Sequence, residues 1–94
     1  MADRFTAEAN ITPVAYRQIT DVSAAIGIYG GNGRVALIQA LNANVRWRDD
    51  GTSPTDSTGF RLHAGETMFY VGDLRTIKFI QESAGAELNI AVYE

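Results

Sequence analysis

Apolar and polar positions alternate with a period of two in several short runs of this chain. Leu88, Ile90 and Val92 alternate with Asn89, Ala91 and Tyr93, and Ile77 and Phe79 flank Lys78 in the same way. Such alternation predicts strands with one face buried. From Pro13 the pattern again reads as a strand, with Val14, Tyr16 and Gln18 on one face and Ala15, Arg17 and Ile19 on the other. A further strand is expected in "SAAIGIYG", which runs into "GGNG"; the Asn32-Gly33 pair there predicts a tight hairpin turn. In "RVALIQALNANVRWR" the first half has a composition that also suits a helix. The second half, with Val45 and Trp47 alternating with Arg46 and Arg48, reads as a strand. Gly65, Gly72-Asp73 and Gly85 then punctuate runs rich in Phe, Tyr, Val, Ile and Thr. Short strands at this spacing predict an all-β fold, a small antiparallel β-sandwich of jelly-roll type or a barrel. The polar lead-in over residues 1–12 is expected to be an N-terminal arm, with residues 13–94 forming a single domain.

Composition narrows the function classes. A chain of 94 residues is the size of one domain, and a fold this small often gains burial by oligomerising. Its net charge of −3 leaves no whole-chain footprint for nucleic acid, so none is expected as a partner. There is no cysteine, which excludes disulfides, thiolate metal sites and thiol nucleophiles. Apolar runs are a few residues long, so no membrane partner is expected. "MADRFTAEAN" holds acidic residues and no apolar stretch, and the expectation is synthesis in the cytoplasm without a secretory signal.

Several chemistries can be weighed against these residues. Gly31-x-Gly33-x-x-Ala36, followed by Asp49 or Asp50, loosely matches a dinucleotide-binding fingerprint. A helix there would be interrupted by Asn42 and Asn44 and would lack one apolar stripe, and the β-runs that follow leave no βαβ unit. A Gly-Asn-Gly hairpin is the preferred reading. Asp49, Asp50 and Asp56 offer hard oxygen ligands for calcium, but not in an EF-hand spacing and with no closing glutamate. His63 is the sole histidine and precedes an Ala64-Gly65 turn, which suits a solvent-facing residue better than a catalytic base. No G-x-S-x-G elbow is present. The expectation is therefore a protein without catalysis, metal or cofactor.

"VRWRDDGTSPTDSTG", Val45 to Gly59, holds the densest chemistry. Trp47 with Tyr70 and Phe69 has the composition of a sugar-stacking surface. Its alternation favours a second reading, with Trp47 in the core and Arg46 and Arg48 sharing the opposite face toward solvent or a partner subunit. Paired arginines suit acidic partners because their planar forks bind carboxylates bidentately. Beyond Asp49 or Asp50 the strand is expected to end in a polar surface loop running to Phe60.

The segment "RWRDDGTSPT" fits an R-aromatic-R-D-D-G-T-x-P-T pattern. It is followed in order by G-x-x-L-x-x-G-E at Gly59–Glu66, by G-D-L-x-x-I-K-F-I at Gly72–Ile80, and by Leu88-Asn89 before alternating apolar residues. Over roughly residues 36–93 the chain thereby resembles small virion-associated β-sandwich proteins of tailed bacteriophages and prophages. The N-terminal third matches loosely, and Ala91 and Glu94 stand where aromatic residues are common. The resemblance implies a structural, non-enzymatic protein, foremost a capsid decoration (cement) protein on the virion surface. Its implied partners are major capsid protein subunits and itself, as a homotrimer, with the arm reaching over a neighbour. Arg46, Trp47, Arg48, Asp49, Asp50, Thr52 and Arg61 are the expected partner-binding residues. A tail-associated or host-surface carbohydrate-binding module is the alternative. A cupin-like enzyme is disfavoured, since one histidine cannot supply the usual metal ligands.

Overall fold

The computed structural model describes residues 12–31 and 33–94. Eight strands follow one another with no helix among the described residues: β1 (Pro13–Ile19), β2 (Ile26–Gly27), β3 (Val35–Leu41), β4 (Val45–Arg48), β5 (Phe60–Leu62), β6 (Thr67–Val71), β7 (Lys78–Gln81) and β8 (Glu87–Tyr93). They form two four-stranded antiparallel sheets, ordered β1-β8-β3-β6 and β2-β7-β4-β5. Strand 1 pairs with 8, 2 with 7, 3 with 6 and 4 with 5, so the chain is a folded ribbon of four strand pairs divided between two sheets. That is the jelly-roll form of the β-sandwich. Only β4 and β5 are sequential neighbours within a sheet; every other connection crosses from one sheet to the other.

One cluster of buried residues fills the space between the sheets. Leu88, Ile90 and Val92 of β8, Ile38 of β3, Val45 of β4 and Phe79 of β7 are completely buried, as the period-two pattern requires. No polar or charged residue is buried among the described residues. At each of the sandwich's two open edges one side chain reaches across to the other sheet's side. Arg17 on edge strand β1 donates from Nη1 to the Ile28 carbonyl at 2.9 Å. On the far edge, Tyr70 of β6 donates its hydroxyl to Asp49 Oδ2 at 2.9 Å, with its ring over Trp47. The Tyr70 ring packs against the core and delivers its hydroxyl to the rim, whereas Arg17 is exposed.

The outward side of the β1-β8-β3-β6 sheet is built in rows. Tyr16, Ala91, Leu37 and Phe69 stand side by side across the four strands, and next to them run Pro13, Tyr93, Val35 and Val71. A third row, Gln18, Asn89, Gln39 and Thr67, is polar but uncharged. Its amides are linked by an Asn89 Nδ2 to Gln39 Oε1 bond of 3.1 Å, and Tyr16 donates to Asn89 Oδ1 at 2.7 Å.

Three expectations need correction or limits. Residues 35–41, compatible with a helix by composition, form the strand β3, held on both sides by β8 and β6. Asn42 ends it in the left-handed region, at φ 72°, a conformation asparagine tolerates. The Gly-Asn-Gly hairpin is not formed: the flanking β2 and β3 lie in different sheets, so the segment is a crossover. Asn32 itself lies outside the described residues. Gly33 is buried instead by close approach, since a Cβ there would come 2.5 Å from Val92 Cγ1 and 3.2 Å from Leu74 Cδ1. The arm expected over residues 1–12 lies outside the described residues except for Thr12. That residue exchanges backbone hydrogen bonds with Glu94, at 2.8 and 3.0 Å, and prolongs the β1–β8 ladder. No helix among the described residues is long and apolar enough to cross a membrane.

Phe79 is the largest of the fully buried side chains. Phe79→Ala is expected to lower the unfolding free energy by about 3–5 kcal/mol, a large share of the roughly 5–15 kcal/mol typical of a domain. Gly33→Ala is expected to cost about 1–3 kcal/mol through overpacking against Val92. Urea titration of each variant measures both.

Candidate functional site

The strand β4 is short, and its four side chains divide as their alternation demands. Val45 and Trp47 point between the sheets, where Trp47 lies 5.0 Å from the ring of Phe60, 6.3 Å from Tyr70 and 6.5 Å from Phe79. Arg46 and Arg48 share the outward side. Register places Arg46 beside Arg61 of β5 and Ile80 of β7, and Arg48 beside Lys78 of β7. The outer face of the β2-β7-β4-β5 sheet thus collects four cations.

The three arginines among them are held by carboxylates. Glu82, just past β7, accepts from Arg46 Nε at 2.5 Å and from Arg61 Nε at 2.7 Å on a single carboxylate oxygen, Oε2. Its other oxygen receives Asn44 Nδ2 at 3.4 Å. Arg46 also donates Nη1 to the Gly59 carbonyl at 3.0 Å, which ties the strand to the end of the following loop. Arg48 forms a two-pronged pair with Asp50, and Asp50 Oδ1 caps the backbone N–H of Thr52 at 3.2 Å. The Arg61 guanidinium, and then that of Arg46, hold the Glu82 carboxyl below its ordinary range against the opposing effect of burial. Asp50 is lowered first by Arg48 and then by the Thr52 N–H. Lys78 has no carboxylate within ion-pairing distance among the described residues. With four cations against Glu82 and Asp50, the face carries an excess of positive charge on a chain that is acidic as a whole.

The loop after β4 is a built structure. Thr55 and Thr58 exchange backbone hydrogen bonds of 3.0 and 3.2 Å around a tight turn, and Pro54 is buried. Gly59, at φ 133°, sits so close to the strand that a Cβ would lie 2.9 Å from the Trp47 carbonyl oxygen and 3.2 Å from Pro54. An open cleft of about 500 Å³ lies between loop and strand, lined by Arg48, Asp49, Asp50, Thr58, Gly59 and Phe60. Phe60 is 67% exposed at its side.

The expected partner-binding residues therefore separate. Arg46, Arg48 and Arg61 share one outer face, Asp50 and Thr52 stand in the loop beside it, and Asp49 turns to Tyr70. Trp47 belongs to the interior rim. Tyr70 joins it there, but Phe69 stands on the outward side of the other sheet, so the three aromatics make no common sugar platform. The three aspartates are equally scattered in use, and no group of three metal-ligating carboxylates or histidines occurs among the described residues. His63 is exposed and meets Glu66 at 3.0 Å, with Glu66 also accepting the His63 backbone N–H at 2.8 Å. The sequence reading missed Glu82, Lys78 and Phe60. Lys78 was legible as the polar member of its alternation, whereas the role of Glu82 depends on β4 and β7 being neighbours.

Fold and site together define a small jelly-roll module with a cationic outer sheet face. No family model matches the chain, and comparison with curated proteins and with solved structures returns no match. The resemblance to tailed-phage proteins accordingly rests on the motif residues themselves.

Because the folded pKa of Glu82 lies below its unfolded value, its contribution is present above the ordinary carboxylate range and disappears as pH falls through the folded value. Glu82→Gln is expected to lower the urea midpoint most at neutral pH, with the gap to wild type closing well below pH ~4.3. Midpoints measured across that range check the sign.

Proposed function

We propose that this protein is a non-enzymatic structural component of a tailed-phage virion, a decoration protein that docks on major capsid protein subunits and stabilises the head shell. The observation that carries the proposal is where its most family-specific residues lie. "RWRDDGTSPT" anchors itself in the core through Trp47 and supplies the outward Arg46 and Arg48 and the hydrogen-bonded loop beside them, so most of the stretch behind the resemblance forms surface. Arginines pre-positioned by Glu82 lose little freedom on meeting a partner's carboxylates. A fixed cationic face on an acidic protein suits an acidic patch on the shell while discouraging contact between two such faces.

The alternative, a host-surface carbohydrate-binding module, is supported by one observation. The cleft beside exposed Phe60 brings an aromatic ring together with Arg48, Asp49, Asp50 and the Thr58 hydroxyl. Its proper test residue is Phe60 rather than the packed Trp47.

Decoration requires the protein on purified particles at a copy number near that of the capsid subunit; absence from particles refutes it. The double reversal Arg48→Glu with Lys78→Glu is expected to abolish rebinding to stripped heads while leaving the urea midpoint near wild type. Wild-type binding should weaken as salt rises past the ~10 Å screening regime of 0.1 M. A glycan-array signal lost in Phe60→Ala would favour the alternative.

A further inference from the structure

A shallow concavity of about 370 Å³ lies on the outward side of the β1-β8-β3-β6 sheet, where the row of Tyr16, Ala91 and Leu37 meets the row of Asn89, Gln39 and Thr67. The first row supplies an apolar strip and the ring of Tyr16, which is 66% exposed. The second supplies two amides and a hydroxyl. Neither brings a charge to the lining. Neighbouring rows are two residues apart along each strand, about 7 Å by the repeat of the pleat, comparable to the breadth of one pyranose ring.

The polar groups are fixed in series. Tyr16 donates its hydroxyl to Asn89 Oδ1 at 2.7 Å, and Asn89 Nδ2 donates to Gln39 Oε1 at 3.1 Å. These bonds decide which way each amide points. They leave both Gln39 Nε2 hydrogens, the second Asn89 Nδ2 hydrogen, the Tyr16 oxygen lone pairs and the Thr67 hydroxyl for a further partner. Bonds in series also polarise one another, so the Tyr16 end becomes the better acceptor and the Gln39 end the better donor. Side chains linked in this way have little rotamer freedom left to lose on meeting a ligand.

The geometry points to a binding site for one uncharged sugar unit of a glycan. A pyranose offers a C–H face to the Tyr16 ring and hydroxyls that donate at one end of the polar series and accept at the other. An anionic ligand is disfavoured, because the lining offers no cation and Glu87 stands in the next row, opposite Leu41. An extended peptide is disfavoured for a different reason. Strands β8 and β3 are paired on both sides, so their backbone groups are taken, and a peptide's own N–H and C=O groups would lie unanswered over Leu37 and Ala91. The site is separate from the cleft beside Phe60, which carries Arg48, Asp49 and Asp50 in its lining. On the decoration reading the cationic sheet meets the shell and this opposite face stays open to solvent; the site itself does not depend on that reading.

The test titrates the isotope-labelled full chain, free of virions, with methyl α-glucoside, methyl α-mannoside, methyl β-galactoside and N-acetylglucosamine, following backbone and side-chain amides by NMR. At least one sugar is expected to give saturable shifts centred on the Asn89 and Gln39 side-chain amides and on Tyr16 and Ala91. Tyr16→Ala and Gln39→Leu are each expected to weaken that binding about five- to tenfold, with the dispersion of the spectrum confirming that each variant is folded. Should Gln39→Leu not fold, the exposed edge residue Tyr16 still supplies the test. Glucuronate is expected to bind more weakly than the glucoside. No saturable shift with any of the four sugars, shifts centred on Arg48 and Phe60 instead, binding indifferent to Tyr16→Ala, or glucuronate binding as tightly as the glucoside would each overturn the proposal. Sugar binding by a protein missing from heads removes decoration and leaves this site standing; a protein on heads that binds none of the sugars does the reverse.

Discussion

The apolar contact between the inner faces of the two sheets is the constraint on which the rest of the molecule depends. Each strand can give only alternate side chains to that contact, so the core of Ile38, Val45, Phe79, Leu88, Ile90 and Val92 fixes what every intervening residue does. Because Val45 and Trp47 face in, Arg46 and Arg48 face out together; because Ile90 faces in, Asn89 and Ala91 face out. The two outer surfaces are thus by-products of a single packing decision, and the sequence fills one with cations while the three rows led by Tyr16, Pro13 and Gln18 on the other carry no charge. A one-residue slip in register would exchange core for surface along a whole strand.

The rims needed a separate solution. A sandwich of two short sheets leaves open seams, and water there would reach the core. Arg17 and Tyr70 bridge the seams from one sheet to the other, each ending on an oxygen, the Ile28 carbonyl and the Asp49 carboxylate. Trp47 thickens the second seam and supports Phe60 beyond it. Tyr70 has its hydroxyl raised above its ordinary pKa, first by loss of solvent and then by its hydrogen bond to the Asp49 carboxylate, so it stays a neutral donor.

What could be read in advance was local. The period of two at Leu88–Tyr93 and at Ile77–Phe79 marked strands and their buried sides, and the shared face of Arg46 and Arg48 followed from the same rule. What could not be read was which strands lie side by side. Glu82 joins Arg46 and Arg61 only because β7, β4 and β5 are adjacent, and nothing within a few residues of any of them signals that. The Asn32-Gly33 turn signal misled for the same reason: a hairpin motif speaks for adjacent strands, while a jelly roll sends its chain across to the other sheet. Strand β3 looked helical because Ala, Leu and Gln suit a helix, and its place between β8 and β6 overrode that preference.

Strand β8 is the last of the eight along the chain, yet it lies between β1 and β3 and supplies three of the deepest core residues. Its pairing with β1 brings Pro13 opposite Tyr93, among the longest sequence separations this chain allows. Loop closure over such a distance is slow. β1 therefore has no partner within its sheet until β8 joins it. Until then its unpaired edge is a point of aggregation risk. That risk ends only when β8 takes its place between β1 and β3.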